Sequence, residues 1–124
     1  MTKKILVVDD SKITRRMQKR MIQMLDLSTE VVEAGDGAEA LEVLKGQAVD
    51  LVLCDLNMPN LDGEGFVRAL RGGGETKLPV VVVTSDHSVA RSERLIQLGA
   101  TAYLTKPTSP EKLRDVIYPL LKAA

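Results

Sequence analysis

Short aliphatic runs alternate five times with stretches whose apolar residues recur at helical spacing. The runs at 5–8, 30–34, 50–54, 80–83 and 101–104 predict strands. The first, third and fourth are almost continuously aliphatic, as parallel strands covered on both faces are. Ser11 predicts the N-cap of a first helix, along which Ile13, Met17, Met21, Met24 and Leu25 repeat at helical spacing. Two shorter helices are expected near 38–44 and 63–71, and another over 89–98, stopping at Gly99. Ser109 and Pro110 read as N-cap and first helical residue of a last helix, with an apolar stripe of Leu113, Val116, Ile117, Leu120 and Leu121. Pro119 removes a hydrogen bond there and is expected to kink or end that helix. The turn signals are Gly35-Asp36-Gly37, Pro59-Asn60, Leu78-Pro79 and Gly72-Gly73-Gly74, the last expected to be a flexible surface loop. Alternating strands and helices predict an α/β fold, a parallel sheet with helices on both faces. In such sheets function gathers at the carboxyl ends of the strands.

Composition narrows the function classes. A chain of 124 residues fits one compact domain, expected over 1–124, that needs no disulfide or metal to fold. Aromatics are scarce (Phe66, Tyr103, Tyr118, no Trp), leaving no platform for stacking nucleic-acid bases. Seventeen basic residues balance seventeen acidic ones, so no global field draws the chain toward DNA or an anionic membrane. The single cysteine, Cys54, lies in an apolar run and is expected to be a small buried hydrophobe. The apolar run after Lys3-Lys4 is too short for a signal peptide or membrane span, and a cytoplasmic location is expected.

The chemistry sits where these strands end. The first run ends in Asp9-Asp10, the third in Asp55, the fourth in Thr84-Ser85, and the fifth is followed by Lys106-Pro107. A parallel sheet brings these groups to one edge. Carboxylates gathered there repel; two unit charges about 4 Å apart at an effective dielectric near 20 cost roughly 4 kcal/mol. A hard divalent cation relieves that repulsion, and an all-oxygen site with few protein ligands suits Mg2+. Asp55 is then a competent nucleophile toward an activated phosphorus, forming an aspartyl phosphate. Metal, Lys106 and the Thr84 hydroxyl can share the charge of the transferring group.

Six stretches carry a resemblance to a known family: Ile5-Leu6-Val7-Val8-Asp9-Asp10-Ser11, Asp50-Leu51-Val52-Leu53-Cys54-Asp55-Leu56-Asn57-Met58-Pro59, Asp62-Gly63, Val83-Thr84-Ser85, Gly99-Ala100 and Tyr103-Leu104-Thr105-Lys106-Pro107. In order and spacing the chain resembles, along its whole length, the receiver domain of bacterial two-component response regulators. The resemblance implies a flavodoxin-like fold of five parallel strands in the order 2-1-3-4-5. It implies that Asp55 is the phosphoacceptor and that Asp9, Asp10, Asp55 and the main-chain carbonyl of Asn57 hold Mg2+. It further implies that Lys106, expected to precede a cis bond to Pro107, pairs with the phosphoryl group, and that Thr84 and Tyr103 form the switch. Phosphorylation would draw the Thr84 hydroxyl toward Asp55, vacating space for the Tyr103 ring. The surface of the fourth helix, fifth strand and fifth helix would then favour a partner. Leu56, Asn57 and Asp86 would flank the site, with Asn57 and Asp86 tuning the phosphoryl lifetime; their polarity implies fairly fast self-dephosphorylation.

The implied partners are a sensor histidine kinase and an output protein, either a flagellar motor switch or a phosphotransfer protein. A monomer is expected, with no nucleic acid and no membrane insertion. The chain stops just after the last predicted helix, so it is expected to act by contact and not through an attached output domain. Asp10-Ser11 with Thr14-Arg15-Arg16-Met17 resembles chemotaxis regulators of the CheY type; a relay intermediate or phosphate sink is the alternative. Arg15, Arg16, Lys19 and Arg20 make the first helix basic, more in keeping with a solvated face than a docking patch. A phosphohydrolase with an aspartate nucleophile would resemble Asp-x-Asp, whose second acid protonates the leaving group; here that position is Asn57. A flavin or nucleotide module would need a hydroxyl- or glycine-rich loop where Asp9-Asp10 stands. The sole histidine, His87, fits a capping or solvent role better than phosphotransfer.

Overall fold

The computed structural model describes residues 2–25 and 28–122, so the ends of the expected 1–124 domain lie outside the described residues. Strands β1 (Lys3–Val8), β2 (Thr29–Ala34), β3 (Leu51–Asp55), β4 (Val80–Thr84) and β5 (Ala102–Thr105) alternate with helices α1 (Lys12–Gln23), α2 (Gly37–Gly46), α3 (Gly63–Gly72), α4 (Val89–Leu98) and α5 (Pro110–Lys122). The strands form one sheet in the order β2-β1-β3-β4-β5, and every pair is parallel. This is the flavodoxin-like arrangement.

Each helix begins where a short polar side chain accepts a hydrogen bond from the N–H three residues on. Ser11 accepts from Thr14 at 3.2 Å, Asp36 from Glu39 at 2.8 Å, Asp62 from Gly65 at 2.8 Å, Ser88 from Arg91 at 3.3 Å and Ser109 from Lys112 at 3.2 Å. Such a cap is typically worth ~1 kcal/mol, enough to fix where a helix starts. Glycine stops two of them: α3 ends in a turn with Gly74 at φ +102°, α4 with Gly99 at φ +116°. In both the next residue's N–H reaches back five residues, Glu75 to Leu70 and Ala100 to Leu95. The Gly72–Gly74 segment is therefore a hydrogen-bonded helix end rather than the flexible loop expected, and Gly72 belongs to α3.

Strand alternation divides the core. Leu6, Val8, Val52, Cys54, Val80 and Val82 face Ala40, Phe66, Val67, Leu70 and Leu95 of α2, α3 and α4. Ile5, Val7, Leu51, Leu53, Val81 and Val83 face Ile22, Leu113, Ile117 and Leu121 of α1 and α5. Both faces of β3 and β4 are buried, which is why their sequences carry no polar alternation.

Two expectations are corrected in part. On α1 the side chains of Ile13, Met17 and Met24 are exposed, whereas Gln18 and Ile22 are buried. Of the stripe, Met21 and Leu25 pack against the core beside Ile22, so the inward face is rotated from the expected one and shares only its Met21–Leu25 flank. On α5, the helix does not end at Pro119 but runs on to Lys122. Leu121 beyond the proline is buried beside Leu113 and Ile117, so packing on the sheet holds the last turn.

Candidate functional site

Strand register assembles the site. Val8 pairs with Cys54 and Asp55 with Val83, so Asp9 and Asp55 leave adjacent central strands at one level, with Thr84 one residue beyond Val83. Thr84 in turn pairs with Thr105, which puts Lys106 beside them. The Lys106 N–H donates to the Thr84 carbonyl at 2.7 Å, tying the two strand ends together. The Lys106–Pro107 bond is cis.

Asp9 and Asp55 are buried and Asp10 is exposed, yet one carboxylate oxygen from each lies within 4.8 Å of the others. Lys106 Nζ stands 3.0 Å from Asp55 Oδ1 and 3.7 Å from Asp9 Oδ2. Asp9 Oδ1 accepts the Ser11 N–H at 2.9 Å, but its Oδ2 has no hydrogen-bond partner among the described residues. Burial raises the Asp9 pKa above the ordinary 3.8; the Ser11 hydrogen bond opposes this and the nearby Asp55 adds to it. A buried carboxylate oxygen with no hydrogen bond, faced only by the Lys106 ammonium at 3.7 Å, costs free energy unless a closer cation or a proton meets it. The donor set of three clustered carboxylates fits a hard divalent ion.

Thr84 is buried, and its Oγ accepts the Asp86 N–H at 2.9 Å, leaving its own proton for another acceptor. Asp86 does not reach the acids: its Oδ1 accepts the Ser88 N–H at 2.8 Å in the turn before α4. Asn57 is exposed in the β3–α3 loop, on the strand end that carries Asp55. Leu56 follows Asp55 directly; its N–H donates to the Val83 carbonyl at 3.1 Å and its side chain is buried in the core cluster that includes Phe66 and Val67 of α3. Tyr103 is 42% exposed on β5 and lines a groove of about 400 Å3 with Val89, Ser92, Glu93, Ile96 and Gln97. His87 is exposed and Ser88, not His87, caps α4. The Cys54 thiol is buried, and burial raises its pKa far above the usual thiol range.

Sequence reasoning missed what anchors these loops. The Asp36 carboxylate accepts the Asn60 side-chain amide at 2.7 Å, and the Gly37 N–H donates to the Leu61 carbonyl at 3.0 Å. The loop after Asp55 is thereby pinned to the start of α2. A Cβ at Gly37 would lie 2.7 Å from that carbonyl, and one at Gly63 2.5 Å from the Asp55 carbonyl. The Gly35-Asp36-Gly37 and Pro59-Asn60 turn signals were the only traces of this contact in the sequence.

A doubly wound parallel sheet with acids and a hydroxyl at the carboxyl ends of its central strands, and a lysine after the adjoining edge strand, defines a receiver. The chain belongs to the response regulator receiver domain family, whose profile matches residues 5–118. It is 40% identical over 120 residues to the probable transcriptional regulator ycf27 of Cyanophora paradoxa, covering 97% of this chain but 48% of that protein. It is 34% identical over 115 residues to the probable chemotaxis protein CheY of Rhizobium etli, covering 92% of this chain and 88% of that one. The solved chemotaxis response regulator CheY4 of Vibrio cholerae superposes with a TM-score of 0.87 at 34% identity, over 97% of this chain and 99% of that one. The chain thus spans about half the length of the ycf27 relative and most of the CheY relative. No helix among the described residues is long and apolar enough to cross a membrane.

Proposed function

We propose that this chain is a phosphorylation-gated CheY-like receiver that takes a phosphoryl group from a sensor histidine kinase onto Asp55 and thereby changes its affinity for an output protein. The observation that carries the reading is the cage around Asp55: two further aspartates within 4.8 Å and the Lys106 ammonium at 3.0 Å. Asp9, Asp10, Asp55 and the Asn57 carbonyl are the residues that would hold Mg2+. Bound there, Mg2+ supplies a positive charge that neutralises the acids and the phosphoryl oxygens. An Asp55 oxygen attacks phosphorus; the P–N bond to the donor imidazole breaks, and the electron pair leaves with that nitrogen. Lys106 then balances the charge on the phosphoryl oxygens, and the free proton of the Thr84 hydroxyl donates to one of them.

To reach the phosphoryl group, Thr84 must leave or stretch its bond from the Asp86 N–H. This shifts the β4–α4 loop and frees space toward Tyr103. The half-exposed Tyr103 ring and the groove beside it then form the output surface on α4, β5 and α5. Asn57 and Asp86 border the path of attacking water and tune the adduct's lifetime. Exposed Met17, which shares a groove with Lys106 and Pro107, gives the donor an apolar landing. The likeness to chemotaxis proteins, over nearly their full length, favours an output in motility, at a flagellar motor switch. A phosphotransfer protein is the alternative output.

The test is incubation with Mg2+ and acetyl phosphate, comparing wild type with Asp55→Asn by intact mass. Wild type is expected to gain one base-labile phosphoryl group and the variant none. An adduct that persists in Asp55→Asn would refute the assignment. Pull-downs with and without beryllofluoride then identify the output.

A further inference from the structure

Arg15 stands apart from the other cations of α1. Arg16 and Arg20 are exposed, but the Arg15 side chain is only 17% exposed and turns toward the acidic edge. One terminal nitrogen, Nη1, donates to the main-chain carbonyl of Asp9 at 2.6 Å, and Nε donates to Glu33 Oε1 at 3.0 Å. The Asp9 carbonyl belongs to the peptide plane that joins Asp9 to Asp10. A bond to it therefore sets the tilt of the one rigid unit from which both acids hang. Glu33 lies on β2, and its neighbour Ala34 accepts the Asp9 N–H at 3.1 Å. Thus β2 grips the β1–α1 turn twice, directly through Ala34 and indirectly through Glu33 and Arg15.

We propose that Arg15 is a positioning residue for the divalent-cation site, a clamp that Glu33 aims and that holds the Asp9–Asp10 peptide so that both carboxylates meet the ion together. The inference rests on the reading above that these acids hold Mg2+. Arginine suits the task because its planar fork donates in two fixed directions at once, whereas a lysine ammonium is a compact point charge on a flexible stem.

The sign of the effect separates this from bulk electrostatics. A cation beside a metal site repels the metal, so removing its charge alone would tighten Mg2+ binding. Loss of a clamp weakens it. Partners that orient metal ligands typically change affinity by about 10–100-fold when lost, and the low end, about tenfold, is expected for Arg15→Met.

The experiment is calorimetric titration of MgCl2 into wild type, Arg15→Met, Arg15→Lys and Arg16→Met, with amide NMR spectra of each metal-free protein. Arg15→Lys keeps the charge and loses the fork; it is expected to bind Mg2+ more weakly than wild type and to move the Asp10 amide resonance. Arg16→Met is expected to stay within about twofold of wild type, since an exposed charge is largely screened. Arg15→Lys keeps the test intact where Arg15→Met fails to fold. If the Arg15 variants bind Mg2+ as tightly as wild type, or more tightly, the clamp is refuted while the site stands. If wild type itself shows no saturable Mg2+ binding, the site reading falls first.

Discussion

At the residue scale, Asp9 concentrates the conflict that the site exploits. Its carboxylate is buried with one oxygen lacking a hydrogen bond, and burial, with the neighbouring Asp55 adding to it, raises its pKa against the opposing pull of the Ser11 hydrogen bond and Lys106. A carboxyl whose folded-state pKa exceeds its unfolded value contributes stability that is full below the unfolded value and lost as pH rises through the folded one. In metal-free protein at neutral pH, ionised Asp9 is therefore a liability. Asp9→Asn, nearly the same shape and still able to accept the Ser11 N–H, is expected to be more stable than wild type in EDTA at pH 7. That advantage should fade as pH falls toward 3.8. Urea melts across pH measure it; an Asn variant less stable than wild type at pH 7 in EDTA would contradict the account.

At the element scale, the helices are held by their ends and by one apolar face each. Arg71 illustrates the first: its guanidinium donates to the carbonyls of Gly99 at 3.0 Å, Glu75 at 3.1 Å and Leu78 at 2.7 Å. It thus joins the ends of α3 and α4 to the turn entering β4, against the edge of the sheet opposite Asp55. Helix α5 illustrates the second, since buried Leu113, Ile117 and Leu121 carry it past an exposed Pro119. The proline has no N–H to donate and sits where a helix former would do better. Pro119→Ala is expected to stabilise the domain by about 1–3 kcal/mol, at the low end because the position lies in the last turns. Chemical denaturation of the pair checks it, and no gain would mean the helix had already adapted to the missing bond.

At the scale of the whole molecule, the site draws on both halves of the sheet, so a ligand there should stabilise the entire cooperative unit. At Mg2+ ten times its dissociation constant, linkage adds RT ln 11, about 1.4 kcal/mol. For a domain of this length that is an upward shift of roughly 4–8 °C in Tm. A thermal melt with and without MgCl2, at matched ionic strength, tests this. The shift should vanish in a variant with Asp9 and Asp55 both changed to Asn, and its survival there would place the ion elsewhere.

The sequence by itself determined the alternation of buried strands and helices, the caps at Ser11 and Ser109, and the acids, hydroxyl and lysine at strand ends. These follow from local chemistry: aliphatic runs without polar alternation need cover on both faces, and caps need a side-chain acceptor at one fixed offset. Only the tertiary structure decided which face of α1 turns inward, that packing carries α5 past Pro119, that Leu56 is core, and that Arg15 serves the acidic edge instead of solvent. Each depends on packing angle or on partners far along the chain, such as Glu33 for Arg15 and Asn60 for Asp36. Periodicity can say that a helix has a face, but the sheet it lands on chooses which one is buried.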